Sequence, residues 1–79
     1  MSIEQELEET VRRLVDDPDA VEVEEVEGDD GSRFEVRVAQ EDLGKVIGRQ
    51  GRTVRALRTL LDARAERDGL RYWIDILED

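Results

Sequence analysis

Two glycines bracketing two polar residues, Gly48-Arg49-Gln50-Gly51, form the stretch of this chain whose types and spacing best suit a definite chemistry. Glycine has no side chain and tolerates positive φ, so a tight turn of this composition can lay bare backbone against a sugar-phosphate chain. Cationic side chains gather around it. Lys45, Arg49, Arg52, Arg55 and Arg58 all fall between Leu43 and Arg58, and no acid interrupts them. Arg49 can neutralise a phosphate at the tip and Gln50 can hydrogen-bond one. Lys45 can reach the same phosphates from three residues before the turn, and Arg52 and Arg55 from the helix after it. The blander alternative is a glycine-bearing helical corner with a solvated arginine face, on which Arg58 pairs with Asp62 at i,i+4.

Catalysis has little to work with. The 79 residues include no histidine and no cysteine, which removes the commonest general base, the commonest metal ligand, the thiolate nucleophile and any disulfide. Neither a phosphate-cradling nucleotide loop nor a metal-ligand cluster is legible, and the paired carboxylates fall in ordinary surface patterns. No catalytic residue, metal, cofactor or small-molecule substrate is therefore expected. Formal net charge is −10, which taken whole opposes a polyanionic partner. The distribution matters more. Residues 1–30 hold 13 acidic and 2 basic side chains, whereas residues 31–79 hold 9 and 10. The cations are eleven arginines and one lysine. That bias suits bidentate phosphate contacts, and an arginine-favouring genome would produce it equally. Without a long apolar run, and with an acidic, polar start, the sequence predicts neither a membrane span nor a signal peptide. A cytoplasmic location is the expectation.

The elements that must position the turn can be read by periodicity. Ile3, Leu7, Val11, Leu14 and Val15 make one helical stripe, with Ser2 as N-cap and Asp16-Asp17-Pro18 ending the helix. A strand is predicted over about 20–27, where the phase break at Glu25-Val26 suggests a bulge. Gly28-Asp29-Asp30-Gly31-Ser32 reads as a turn, and Arg33 to Val38 as the second strand of an antiparallel hairpin. A short helix covers roughly 41–47. Gly44 inside it costs ~1 kcal/mol against alanine, a cost that close approach of a neighbour or a ligand would offset. A longer helix runs from about 51 to 67 and ends at Gly69 in the C′ position. Arg71 to Leu77 reads as the third strand. The order is α-β-β-α-α-β: a single α+β domain over residues 1–79, with three strands packed on one face by three helices.

This order, with Gly-x-x-Gly at 48–51 between the second and third helices, matches the type II KH fold. More narrowly, residues 39–61 (AQEDLGKVIGRQGRTVRALRTLL) resemble the small bacterial KH proteins of the KhpA type, and the likeness extends over nearly the whole chain. The resemblance implies a non-enzymatic protein binding single-stranded RNA with little sequence preference. Its site residues would be Lys45, Val46, Ile47, Gly48, Arg49, Gln50, Gly51, Arg52 and Arg55. Val46 and Ile47 are mainly core but also candidates for an apolar groove floor, and Val36 and Val38 for its far wall. The resemblance also implies self-association or pairing with a larger KH protein of the KhpB (Jag) type. It further implies a post-transcriptional role linked to cell division and envelope growth. Single-stranded DNA remains an alternative ligand. A protein-interaction module with feeble nucleic-acid binding remains an alternative function.

Three further features invite a role. Thr53, Ala56, Leu60 and Ala63 form a stripe of mostly small residues about 100° from the core centre of the third helix. It is a candidate dimer surface, unless Leu60 only closes the edge of the core. Trp73 falls on the solvent face of its strand by simple alternation, where stacking a base competes with packing against Leu77 or the first helix. The acidic run from Glu22 to Asp30 reads as a solvated strand face and loop, not a metal site.

Overall fold

The computed structural model describes residues 2–48 and 52–78. Helix α1 spans Ile3–Arg12, and a single 3-10 turn, Pro18–Ala20, leads into β1, Glu22–Glu27. Strand β2 is Gly31–Arg37. A second 3-10 turn, Gln40–Asp42, runs directly into α2, Leu43–Ile47. Helix α3, Arg52–Asp68, then returns the chain to β3, Arg71–Ile76. The architecture is α+β with a three-stranded mixed sheet and three helices, as the type II KH resemblance implies.

The sheet order is β1-β2-β3, with β1 antiparallel to β2 and β2 parallel to β3. A parallel pair needs a long crossover, and the 40–68 segment with its two helices supplies it. The hairpin pairs Glu22 with Arg37 through to Glu27 with Ser32, one residue against one, so the expected bulge is absent. The phase break has another cause. Val26 simply occupies the outer face of the sheet, where it is 38% exposed. Glu25 lies at the sheet edge, its amide donating to Glu4 Oε2 (3.2 Å) and its carboxylate accepting from the Ser32 hydroxyl (2.6 Å).

One sheet face carries the core. Val23, Phe34 and Val36 point inward with Leu7 and Val11 of α1, Val46 of α2, and Leu57 and Leu61 of α3, all buried. Tyr72, Ile74 and Ile76 pack at its margin. Phe34 meets Tyr72 edge-on, with ring centroids 5.7 Å apart. Val36 and Val38 are enclosed in this core, so neither lines a groove wall. An ion pair between Arg64 and Glu6 (2.6 Å) ties α3 to α1.

Local signals explain much of the helix geometry. Ser2 caps α1 and Gln5 returns the bond, a full capping box. Gly69 follows α3 at φ +68°. However, α1 stops at Arg12, about a turn before the proline signal, and Leu14 is left 44% exposed. The cause is tertiary. The amides of Asp16 and Asp17 are drawn out of helical pairing by the carboxylate of Asp42, which accepts them at 3.2 and 3.0 Å.

Gly31 closes the hairpin turn, its carbonyl accepting the Gly28 amide at 2.8 Å, and it also meets a second requirement. It opens β2 directly against Arg71 of β3. A Cβ built there would fall 2.6 and 2.7 Å from the Arg71 carbonyl carbon and amide nitrogen, and nearer still to its oxygen. Only a residue without a side chain lets the strands close at this point.

Candidate nucleic-acid interface

Helix α2 is five residues long and sits at the rim of the core. Its inward anchor is Val46, fully enclosed, while Ile47 next to it is 40% exposed. The two apolar site candidates therefore divide. Val46 fixes the helix to the core, and its side chain is out of a ligand's reach. Of the two, Ile47 presents an apolar surface at the end of α2.

The helix ends at Gly48, whose amide donates to Gly44 O (2.8 Å) and whose backbone then leaves at φ +61°, ψ 162°. That conformation is open to glycine and strained for other residues. A Cβ there would also come within 3.4 Å of Lys45 O. Gly44, one turn earlier, is exposed, and a Cβ built on it would meet nothing within 4 Å outside its own turn. Among the described residues, no neighbour exploits the missing side chain. Arg49, Gln50 and Gly51 lie outside the described residues. Helix α3 resumes at Arg52, whose side chain also lies outside them. The Thr53 hydroxyl ties the start of α3 to α2, donating to Lys45 O (3.3 Å).

The cationic candidates are not equivalent. Arg55 and Arg58 are exposed on α3, and the Arg58–Asp62 pair does not form among the described ion pairs. Lys45 is exposed but engaged. Its ammonium bonds to the Asp16 carboxylate and lies 3.9 Å from Asp42 Oδ1. The hydrogen bond to Asp16 raises its pKa above the ordinary lysine value, with the charges of Asp16 and Asp42 adding and burial opposing. Asp42 itself is 1% exposed. It thus holds the end of α1 against the start of α2 and faces the lysine. No local pattern in the sequence marks it, because its amide partners lie 25 and 26 positions earlier.

The candidate dimer stripe is partly consumed by packing. Leu60 is half-buried against the core, Thr53 is half-buried with its hydroxyl committed to α2, and Ala56 and Ala63 are exposed. Trp73 stands on the sheet face turned away from the helices, 49% exposed, so packing against α1 does not occur. Among the described residues no group of three His, Cys, Asp or Glu is placed to hold a metal ion, and no helix is long and apolar enough to cross a membrane.

Residues 4–76 match the family described as the KhpA/KhpB KH domain. The chain belongs to that family. It is 49% identical over 69 residues to the RNA-binding protein KhpA of Aquifex aeolicus, covering 87% of each chain. To the KhpA of Caldanaerobacter subterraneus it is 48% identical over 73 residues, covering 91% of this chain and 97% of that one. The Chlamydia trachomatis protein of the same name is 44% identical over 69 residues, or 87% and 88% of the two chains. Among solved structures, the Era protein of Aquifex aeolicus, crystallised as a tyrosine-to-alanine variant with GDP and AlF4−, superposes with a TM-score of 0.61. That match has 17% identity and covers 98% of this chain and 31% of Era, a likeness of fold.

Proposed function

We propose that this chain binds single-stranded RNA, without catalysis, at the junction of α2 and α3. The observation that carries the reading is the pairing of Gly44 and Gly48 one turn apart. Gly44 is exposed and Gly48 half-buried, neither glycine's missing side chain is taken up by a side chain among the described residues, and arginines follow on α3. A bare backbone strip of this kind suits a sugar-phosphate chain in close contact. The N-terminus of the 17-residue α3 adds a positive dipole end beside it. Ile47 offers an apolar surface for a base. Lys45, Arg49, Arg52 and Arg55 supply charge, and Gln50 and Gly51 complete the turn. The relatives' name, RNA-binding protein KhpA, supports RNA as the ligand.

Backbone contacts read no sequence, so base preference is weak. The family resemblance adds a post-transcriptional role linked to cell division and envelope growth, and a cytoplasmic location accords with the absence of cysteine. It also adds self-association or a KhpB/Jag-type partner; the α3 stripe of Thr53, Ala56, Leu60 and Ala63, of which Ala56 and Ala63 are exposed, is the candidate surface. A second reading, a pairing module with negligible RNA affinity, draws on the −10 charge and on the engagement of Lys45 by Asp16. Anisotropy of a labelled single-stranded RNA across a salt series separates the two. Four cationic contacts predict a slope of log K against log salt of about −3, at about −0.7 per contact for single strands. Absence of binding at the lowest salt leaves the pairing module standing.

A further inference from the structure

The face of the sheet turned away from the helices is uncovered, and its composition is not that of a plain solvated surface. Register places Val26, Arg33 and Trp73 side by side across β1, β2 and β3. Trp73 is 49% exposed and Val26 38%. A hollow of about 670 Å³ opens here, bounded by this row and by the hairpin turn at Gly28–Gly31. Asp29, Asp30 and Asp75 are among its lining residues and give it an acidic character, while Glu27 borders it from a strand position whose side chain faces the other side of the sheet. Arg33 is the one base in the lining, and Glu35 pairs with its guanidinium at 3.4 Å.

We propose that this hollow docks a flexible cationic segment of another protein, an arginine- and lysine-bearing peptide. Charge complementarity selects the occupant. Carboxylates accept the fork of a guanidinium or the donors of an ammonium. The indole face of Trp73 attracts a cation and gives a planar guanidinium a surface to stack on. Val26 covers the aliphatic stem of such a side chain. The same acids repel a phosphate backbone, so a nucleic acid is the wrong ligand for this face. The hollow and the α2–α3 junction lie on opposite sides of the sheet, so the inference stands independently of RNA binding and the two sites can be filled together.

Trp73 is the only tryptophan in the chain, so its emission reports directly on the hollow. The probe is a short fluorescein-labelled peptide alternating arginine, lysine and glycine, with a counterpart in which glutamine replaces every basic residue. An unlabelled basic peptide should change the Trp73 emission of the full chain and the glutamine peptide should not. By anisotropy at low salt, Asp29→Asn with Asp75→Asn should weaken binding roughly tenfold, as should Trp73→Ala. Glu9→Gln with Glu66→Gln, which removes as much charge from the exposed surfaces of α1 and α3, should leave binding unchanged. Thermal melts confirm that each variant is folded. Equal weakening by both double variants overturns the proposal, as does saturation by the labelled peptide with Trp73 emission unmoved. Absence of binding overturns it too. So does a single-stranded RNA that changes Trp73 emission and binds tighter to the Asp29→Asn, Asp75→Asn variant.

Discussion

Replacing Gly44 by alanine should separate stability from binding. A Cβ at this position meets no atom outside its own turn, and the residue is exposed in a helix with ordinary negative φ. Folding therefore meets no steric penalty from the methyl group. It gains from a residue that loses less backbone entropy, a difference of ~1 kcal/mol in a helix interior and about half that in a five-residue helix. For a domain of this size each kcal/mol moves the midpoint by about 4–8 °C, so Gly44→Ala should melt about 2–8 °C higher. If RNA lies along the Gly44–Gly48 strip, the same methyl group intrudes on a close contact at about 1–3 kcal/mol, or roughly tenfold weaker binding. Differential scanning calorimetry reads the first effect and RNA anisotropy the second. A stabilised variant that binds RNA as well as the native chain refutes close approach along this strip. A destabilised variant refutes the open space assigned to Gly44.

Three other outcomes follow from single contacts. Gly31→Ala should destabilise by about 2–3 kcal/mol in urea titration, because its Cβ collides with Arg71 backbone and the strands must part. Asp16→Asn should tighten RNA binding severalfold at low salt by releasing Lys45, and the gain should fade in high salt as the charges are screened. The Tyr72 hydroxyl donates to Asp68 (2.7 Å), which holds the tyrosine pKa above 10.0 and the aspartate pKa below 3.8. Stability from the raised tyrosine is present below pH 10.0 and is lost as pH climbs through its folded pKa. Stability from the depressed aspartate is lost as pH falls below 3.8. Melting curves of Tyr72→Phe should therefore be flatter than native at both extremes.

What the sequence made legible were features whose causes are local. Ser2 and Gln5 sit three residues apart at a helix start, Gly69 follows a helical stripe, and the alternation from Arg33 to Val38 marks a strand with one buried face. The element order, and with it the fold, rests on such signals. The differences arise where a distant residue decides. Asp42 reaches back to Asp16 and Asp17 and ends α1 early, so the Leu14 stripe position goes to solvent. Gly31 reads as turn chemistry, and β3, forty residues on, adds a second requirement. Val26 suggested a bulge because an apolar residue on the outer face breaks a two-residue period without breaking the register. At the candidate site, the types and spacing of Gly44, Gly48 and the arginines were evident. That Val46 is wholly enclosed and that Lys45 is engaged by Asp16 depend on packing, which no short window of sequence carries.

The proposed RNA site is the turn between α2 and α3. The most direct test is anisotropy of a labelled single-stranded RNA with the Arg49→Asp, Gln50→Asp variant at low salt, beside the native chain. Two carboxylates facing the phosphates should weaken binding by roughly a hundredfold or more while the melting temperature holds. Native-like affinity in a folded variant would place the RNA elsewhere and contradict the account.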